Sequence, residues 1–195
     1  MSNALSTMSE AILEIPEVRQ RVSRLSVSEY HRFGEFNENG RRTELIRGIV
    51  IEKMSKSPLH RTICSRLYKL LLAQLPNGYT VWKEEPLTLA DSESEPDISV
   101  TRGTESSFTS AHPSTAELVV EVAVSSIALD RASASIYAEA SVPEYWIILG
   151  QEQQIEVYRQ PEKGRYQQKD VFGLDASLPC ASLAQVRIRV ADLFQ

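Results

Sequence analysis

Cysteine is scarce. Only two occur in 195 residues, Cys64 and Cys180, too few for a disulfide framework. Cys64 falls inside a predicted helix, so both are expected as buried free thiols. That points to a reducing, cytoplasmic setting. Long apolar runs are missing too. None approaches the ~18–20 residues of a membrane span, so no membrane partner is expected. The opening MSNALSTMSEAILEIPEVRQR lacks a basic end followed by an apolar block, so no secretory signal is read there. Positive charge is also short, with 21 Lys and Arg against 26 Asp and Glu, a net charge of −5. General binding to nucleic acid rests on Lys and Arg neutralising phosphates. The balance argues against such a grip by the whole surface, though not against a local basic face. Repeats, low-complexity tracts and heptad arrays are absent.

What is present reads as one α/β domain. Residues 1–25 are expected as an N-terminal arm and 26–195 as the folded domain. Ser26-Val27-Ser28-Glu29 has the form of a capping box, which predicts a helix to about Phe36, ended by residues 37–40. Thr43 to Glu52 reads as two short strands turned at Arg47-Gly48. Ser57-Pro58 starts a helix, and Ile63, Leu67, Leu70, Leu71 and Leu75 give it one apolar stripe. Tyr79–Trp82 and Leu87–Leu89 look like two strands joined by a polar bend. Ile98–Thr101 and Leu118–Ala123 are the expected central strands, separated by an exposed loop over 102–116. Ser125-Ser126 is expected to cap a helix over about Ala128–Ala140, which ends at Ser141-Val142-Pro143. Strands at Glu144–Leu149, Ile155–Arg159 and Arg165–Phe172 follow. One short strand, Val186–Arg189, and a helical turn, Val190–Phe194, close the chain.

Two acids sit oddly in this pattern. Asp97 opens the apolar run Ile98-Ser99-Val100. Glu121 interrupts Leu118-Val119-Val120 before Val122. A carboxylate inside an apolar strand costs free energy unless something pairs with it. Val120 and Val122 share one strand face, and Val119 shares the other with Glu121, so an outward-facing Glu121 is disfavoured. On neighbouring strands Asp97 and Glu121 would supply hard oxygen ligands to one divalent cation. Such an ion polarises a phosphoryl group and lowers the pKa of an attacking water. A simple turn acid is the alternative reading of Asp97. Glu44, opening the first hairpin, is either an exposed strand acid or a third acid aimed at a metal-bound water. His60, in the first turn of the long helix, either meets a metal water or phosphate or caps the helix start.

The segments ELIRGIVIEKMS, SPLHRTICSRLYKLLLAQL, EPDISV, ELVVEVAVSS and DRASASIYAEASVPEYWIIL together resemble the Uma-type endonuclease family. That family belongs to the PD-(D/E)XK nuclease superfamily. The resemblance spans about Glu29 to Phe172. It implies a restriction-endonuclease-like fold, a mixed central sheet flanked by helices. It also implies a Mg²⁺ (or Mn²⁺)-dependent DNA endonuclease that hydrolyses phosphodiester bonds. Asp97 and Glu121 match the two metal-binding acids, with Val122 beside them as a further metal position. Glu44 matches the first acidic position and His60 a frequent histidine. The superfamily lysine, two residues after the second acid, is replaced here by Ala123. In this family it moves to the next helix, where Ser133 stands in its place. Serine cannot supply a cation to a developing phosphoryl charge. Arg131, two positions away, points to another helix face, and Lys53 and Lys83 are the next substitutes. The departure leaves a second reading open, an inactive nuclease-like module that binds nucleic acid or protein. Related nucleases often dimerise, and the strands Tyr145–Leu149 and Ile155–Tyr158 are expected to offer an edge for a homodimer.

Overall fold

The computed structural model describes residues 14–34, 41–125 and 127–195. Most of the expected arm, the end of the first helix at residues 35–40, and Ser126 therefore lie outside the described residues. A single helical turn covers Pro16–Arg19. Helix α1 is Val27–Gly34. The Glu29 amide donates to the Ser26 hydroxyl oxygen at 3.3 Å and the Glu29 carboxylate accepts from the Ser26 amide at 2.8 Å, so the capping box forms.

Strands β1 (Thr43–Ile46) and β2 (Ile49–Glu52) make the expected hairpin. Its turn residues, Arg47 (φ 53°) and Gly48 (φ 76°), are both left-handed, as a two-residue hairpin turn requires. Gly48 has a second reason: a Cβ there would lie 2.6 Å from the Arg24 Cβ. Helix α2 (Pro58–Gln74) follows, with the Ser57 side chain accepting from the His60 amide. Strand β3 is Tyr79–Trp82. Two very short strands, β4 (Leu87–Thr88) and β5 (Glu93–Ser94), join the hairpin in a small sheet of order β2-β1-β5-β4. The two strands expected on either side of a polar bend, at 79–82 and 87–89, thus belong to different sheets.

The main sheet has six strands in the order β10-β9-β8-β7-β6-β3. Here β6 is Ile98–Arg102, β7 Leu118–Ala123, β8 Glu144–Leu149, β9 Gln154–Glu162 and β10 Arg165–Phe172. Among the described residues, only β7 and β8 pair in parallel, and helix α3 (Ile127–Glu139) makes the crossover that a parallel pair needs. Two further short strands, β11 (Ser177–Pro179) and β12 (Arg187–Arg189), form a hairpin near the C-terminus. Of these the sequence pattern predicts only the second.

Side chains alternate across the sheet and so build two cores. Val120, Val122, Trp146 and Ile148 pack under Ile63, Leu67 and Leu71 of α2. Val119, Ala123, Tyr145 and Ile147 pack against Ile136 and Tyr137 of α3. Burying an aliphatic side chain contributes about 1.5–3 kcal/mol, so this alternation fixes the register of β7 and β8. It also fixes the face of Glu121, which falls on the α3 side. Both cysteines are free and buried.

The expected dimer edge is corrected by the strand order. Tyr145–Leu149 lies between β7 and β9, and Ile155–Tyr158 lies between β8 and β10, so neither is an edge. Their apolar runs are explained by burial within the sheet. The edges are β3 and β10.

Candidate active site

Strands β6 and β7 run antiparallel with Ile98 opposite Val120. One step further along, Asp97 therefore comes beside Glu121. The Asp97 amide donates to Glu121 Oε2 at 3.2 Å, and the Val122 amide donates to Asp97 Oδ2 at 2.8 Å. Each acid is thus held by the strand of the other. Tyr137 of α3 donates its hydroxyl to Glu121 Oε1 at 3.1 Å. His60, in the first turn of α2, places Nε2 2.9 Å from Asp97 Oδ2. Glu44 comes from the small sheet, with Oε2 3.4 Å from the Glu95 amide.

These residues line one cleft of about 160 Å³, together with Lys53, Lys56, Asp130 and Ser133. All five candidate positions from the sequence (Glu44, His60, Asp97, Glu121 and Ser133) meet there, as does Val122. Ser133 is buried, and its hydroxyl donates back to the Leu129 carbonyl at 3.0 Å. Arg131 points away and pairs with Glu156. Lys83 is not among the cleft residues, whereas Lys53 is.

Sequence reasoning missed Lys56. It belongs to the loop between β2 and α2, one residue before the Ser57 cap. Its Nζ donates to Asp97 Oδ1 at 2.7 Å and lies 3.0 Å from Glu84 Oε1. The only hint in the sequence is a lysine one helical turn ahead of His60.

Electrostatics separate the two central acids. Burial pushes the Asp97 carboxyl up, but the hydrogen bond and charge of His60 and then Lys56 outweigh it and hold it well below the usual range. Glu121 moves the other way. Burial, then the charges of Asp97, Asp130 and Glu44, push it well above the usual carboxylate range. Glu44 is also raised by burial, with Lys53 opposing. Like-charged groups around one site that titrate apart are typical of functional clusters.

Does this donor set fit a divalent ion? Asp97, Glu121 and Glu44 offer hard carboxylate oxygens, which suit Mg²⁺ or Mn²⁺. The Lys56 ammonium already lies against Asp97 as a cation would. His60, Cys64 and Asp97 also bring ligand atoms within 4.8 Å of one another. However, the imidazole has Asp97 on one nitrogen and Cys64 Sγ, 3.6 Å away, on the other. Burial, then the Asp97 charge, push the Cys64 thiol far up. Mg²⁺ and Mn²⁺ prefer hard oxygen donors to a soft sulfur, so the oxygen set is the better cation site.

A family described as "Putative restriction endonuclease", Uma2, matches residues 27–191. The chain belongs to the Uma2 family. Among solved structures, it is similar to one described as a putative nuclease belonging to DUF820 from Anabaena variabilis ATCC 29413. The TM-score is 0.72 at 22% identity, covering 84% of this chain and 96% of that one. At that identity the likeness concerns the fold, a mixed α/β sheet in a single domain. No curated protein matches. The Uma2 match takes in every candidate position of the cleft, from Glu44 to Tyr137.

Proposed function

We propose that this protein is a Mg²⁺- or Mn²⁺-dependent DNA endonuclease that hydrolyses phosphodiester bonds. The observation that carries this reading is the meeting of Asp97 and Glu121 at the same end of adjacent strands, in one cleft with Glu44. Family membership supports it. Asp97, Glu121 and Val122 are the residues that would hold the ion, with Glu44 lining the same cleft. When bound, the ion supplies Lewis-acid polarisation of the phosphoryl group and an activated water. The chain does the rest by positioning. Val122 and Asp97 amides orient the two carboxylates. The Tyr137 hydroxyl fixes the Glu121 rotamer. His60 holds Asp97 from the α2 side. Two buried thiols support a reducing, cytoplasmic setting.

The test is nicking of supercoiled plasmid with Mg²⁺ or Mn²⁺, comparing wild type with Asp97→Asn. Metal-dependent nicking lost in Asp97→Asn is the expected result. Nicking that survives in the variant refutes the assignment. A second reading, an inactive module that holds nucleic acid or protein, is favoured by Ser133, which lines the cleft at the position where the resemblance implies a lysine.

A further inference from the structure

Ser133 leaves the α3 wall of the cleft without a cation. The opposite wall differs. Residues 53–57 carry two lysines inward. Lys53 donates to the Glu95 carbonyl at 2.5 Å and stays 3.8 Å from Glu44. Among the described residues Lys56 makes no backbone bond of that kind. It lies between two carboxylates, Asp97 at 2.7 Å and Glu84 at 3.0 Å, and 23% of its side chain remains exposed to solvent. Glu84 is itself anchored by Arg42 at 3.0 Å.

We infer that Lys56 is the cationic group of this active site: it occupies Asp97 while no divalent ion is bound, and turns to the substrate phosphate when an ion takes Asp97. The inference rests on the nuclease reading above. Lys56 holds Oδ1 of Asp97, while His60 and the Val122 amide hold Oδ2; a divalent ion and an ammonium on one carboxylate repel, so ion and ammonium exchange places. Glu84 then keeps Lys56 at the cleft mouth, and its flexible four-carbon stem lets the ammonium reach a phosphate. In the hydrolysis, a water oxygen forms the new bond to phosphorus. The bond from phosphorus to the departing sugar oxygen breaks, and its electron pair leaves with that oxygen. The water's hydroxyl stays on phosphorus and its other proton ends on the sugar oxygen. Lys56 makes and breaks no covalent bond. It donates N–H to the non-bridging oxygens, where negative charge grows.

The test uses the full chain and four proteins: wild type, Lys56→Met, Lys56→Arg and Asp97→Asn. Mn²⁺ binding is read by titration calorimetry, and plasmid nicking is read at saturating Mn²⁺. Lys56→Met is expected to bind Mn²⁺ about tenfold tighter, because a charge-assisted hydrogen bond no longer has to break. The same variant is expected to cut about 10²–10³-fold more slowly. Lys56→Arg restores the charge and should recover part of the cutting. A merely structural lysine would weaken binding and cutting together, so the opposite signs are the signature. Mn²⁺ binding by Lys56→Met no tighter than wild type overturns the exchange. Wild-type cutting by Lys56→Met, or a wild type that binds Mn²⁺ and cuts no DNA, overturns the catalytic assignment. Equal Mn²⁺ binding by wild type and Asp97→Asn overturns the metal site on which both depend, and that arm reports it separately.

Discussion

Replacing Glu121 by glutamine should make the metal-free protein more stable and the metal-bound protein less so. Glu121 lies partly buried in the cleft wall, with two hydrogen-bond donors, the Asp97 amide and the Tyr137 hydroxyl. Three acids, Asp97, Asp130 and Glu44, act against its charge. In the glutamine variant the amide oxygen can accept from Asp97, and the amide nitrogen can donate to the Tyr137 oxygen. The Tyr137 hydroxyl proton gives up residue 121 and has the Ser94 side chain, its other hydrogen-bond partner, to turn to, and the charge is gone. Removing an ill-compensated carboxylate is worth about 1–3 kcal/mol. For a domain of this size each kcal/mol moves Tm by about 2–4 °C, so a rise of about 2–12 °C is expected without metal. The folded pKa of Glu121 is raised above the ordinary value of 4.5. Its contribution to stability is therefore fully present below about 4.5 and is lost as pH rises through the raised value. The variant's advantage should be near zero at about pH 4.5 and largest in mildly alkaline buffer. Mn²⁺ at about 100 times its Kd adds about 2.7 kcal/mol to wild type, or about 5–11 °C, and much less to the variant. Thermal melts across pH, with Mn²⁺ and with chelator, measure all of this. Destabilisation of Glu121→Gln at alkaline pH, or an advantage that ignores pH, would refute the reasoning.

Asp97→Asn should lose most of the Mn²⁺-induced Tm gain seen in wild type; an undiminished gain would put the ion elsewhere. Ser133→Lys, made in the Lys56→Met background, should restore part of the lost nicking, since it returns a cation to the cleft from the α3 side; no recovery would mean that residue 133 does not reach the substrate. Glu156 is pushed up by burial but held down to about 2 by Arg131, Tyr158 and Lys169. Its stabilising contribution is present above the ordinary 4.5 and lost as pH falls towards about 2. The stability difference between wild type and Glu156→Gln should therefore shrink over that window in acid titrations followed by circular dichroism.

Much of this protein is written in its local sequence. The apolar stripe of α2, the alternation in β7, and the Arg47-Gly48 turn each follow from side-chain period or backbone sterics, and each takes the predicted form. Asp97 and Glu121 were legible because a charge inside an apolar strand is costly and so draws notice. Strand neighbours were not legible. Tyr145–Leu149 looks like an exposed apolar edge in isolation, and only the crossover through α3 places it in the middle of the sheet. The short strands β5 and β11 carry too few residues for any period to show. Lys56 is the clearest case. Nothing within its own loop marks it, because its partners Asp97 and Glu84 lie 41 and 28 positions further along. Sequence determined which acids would gather, through the local cost of burying them. Tertiary structure alone decided which cation meets them, because a lysine's long stem lets distant chain segments, brought together by sheet packing, choose its partner.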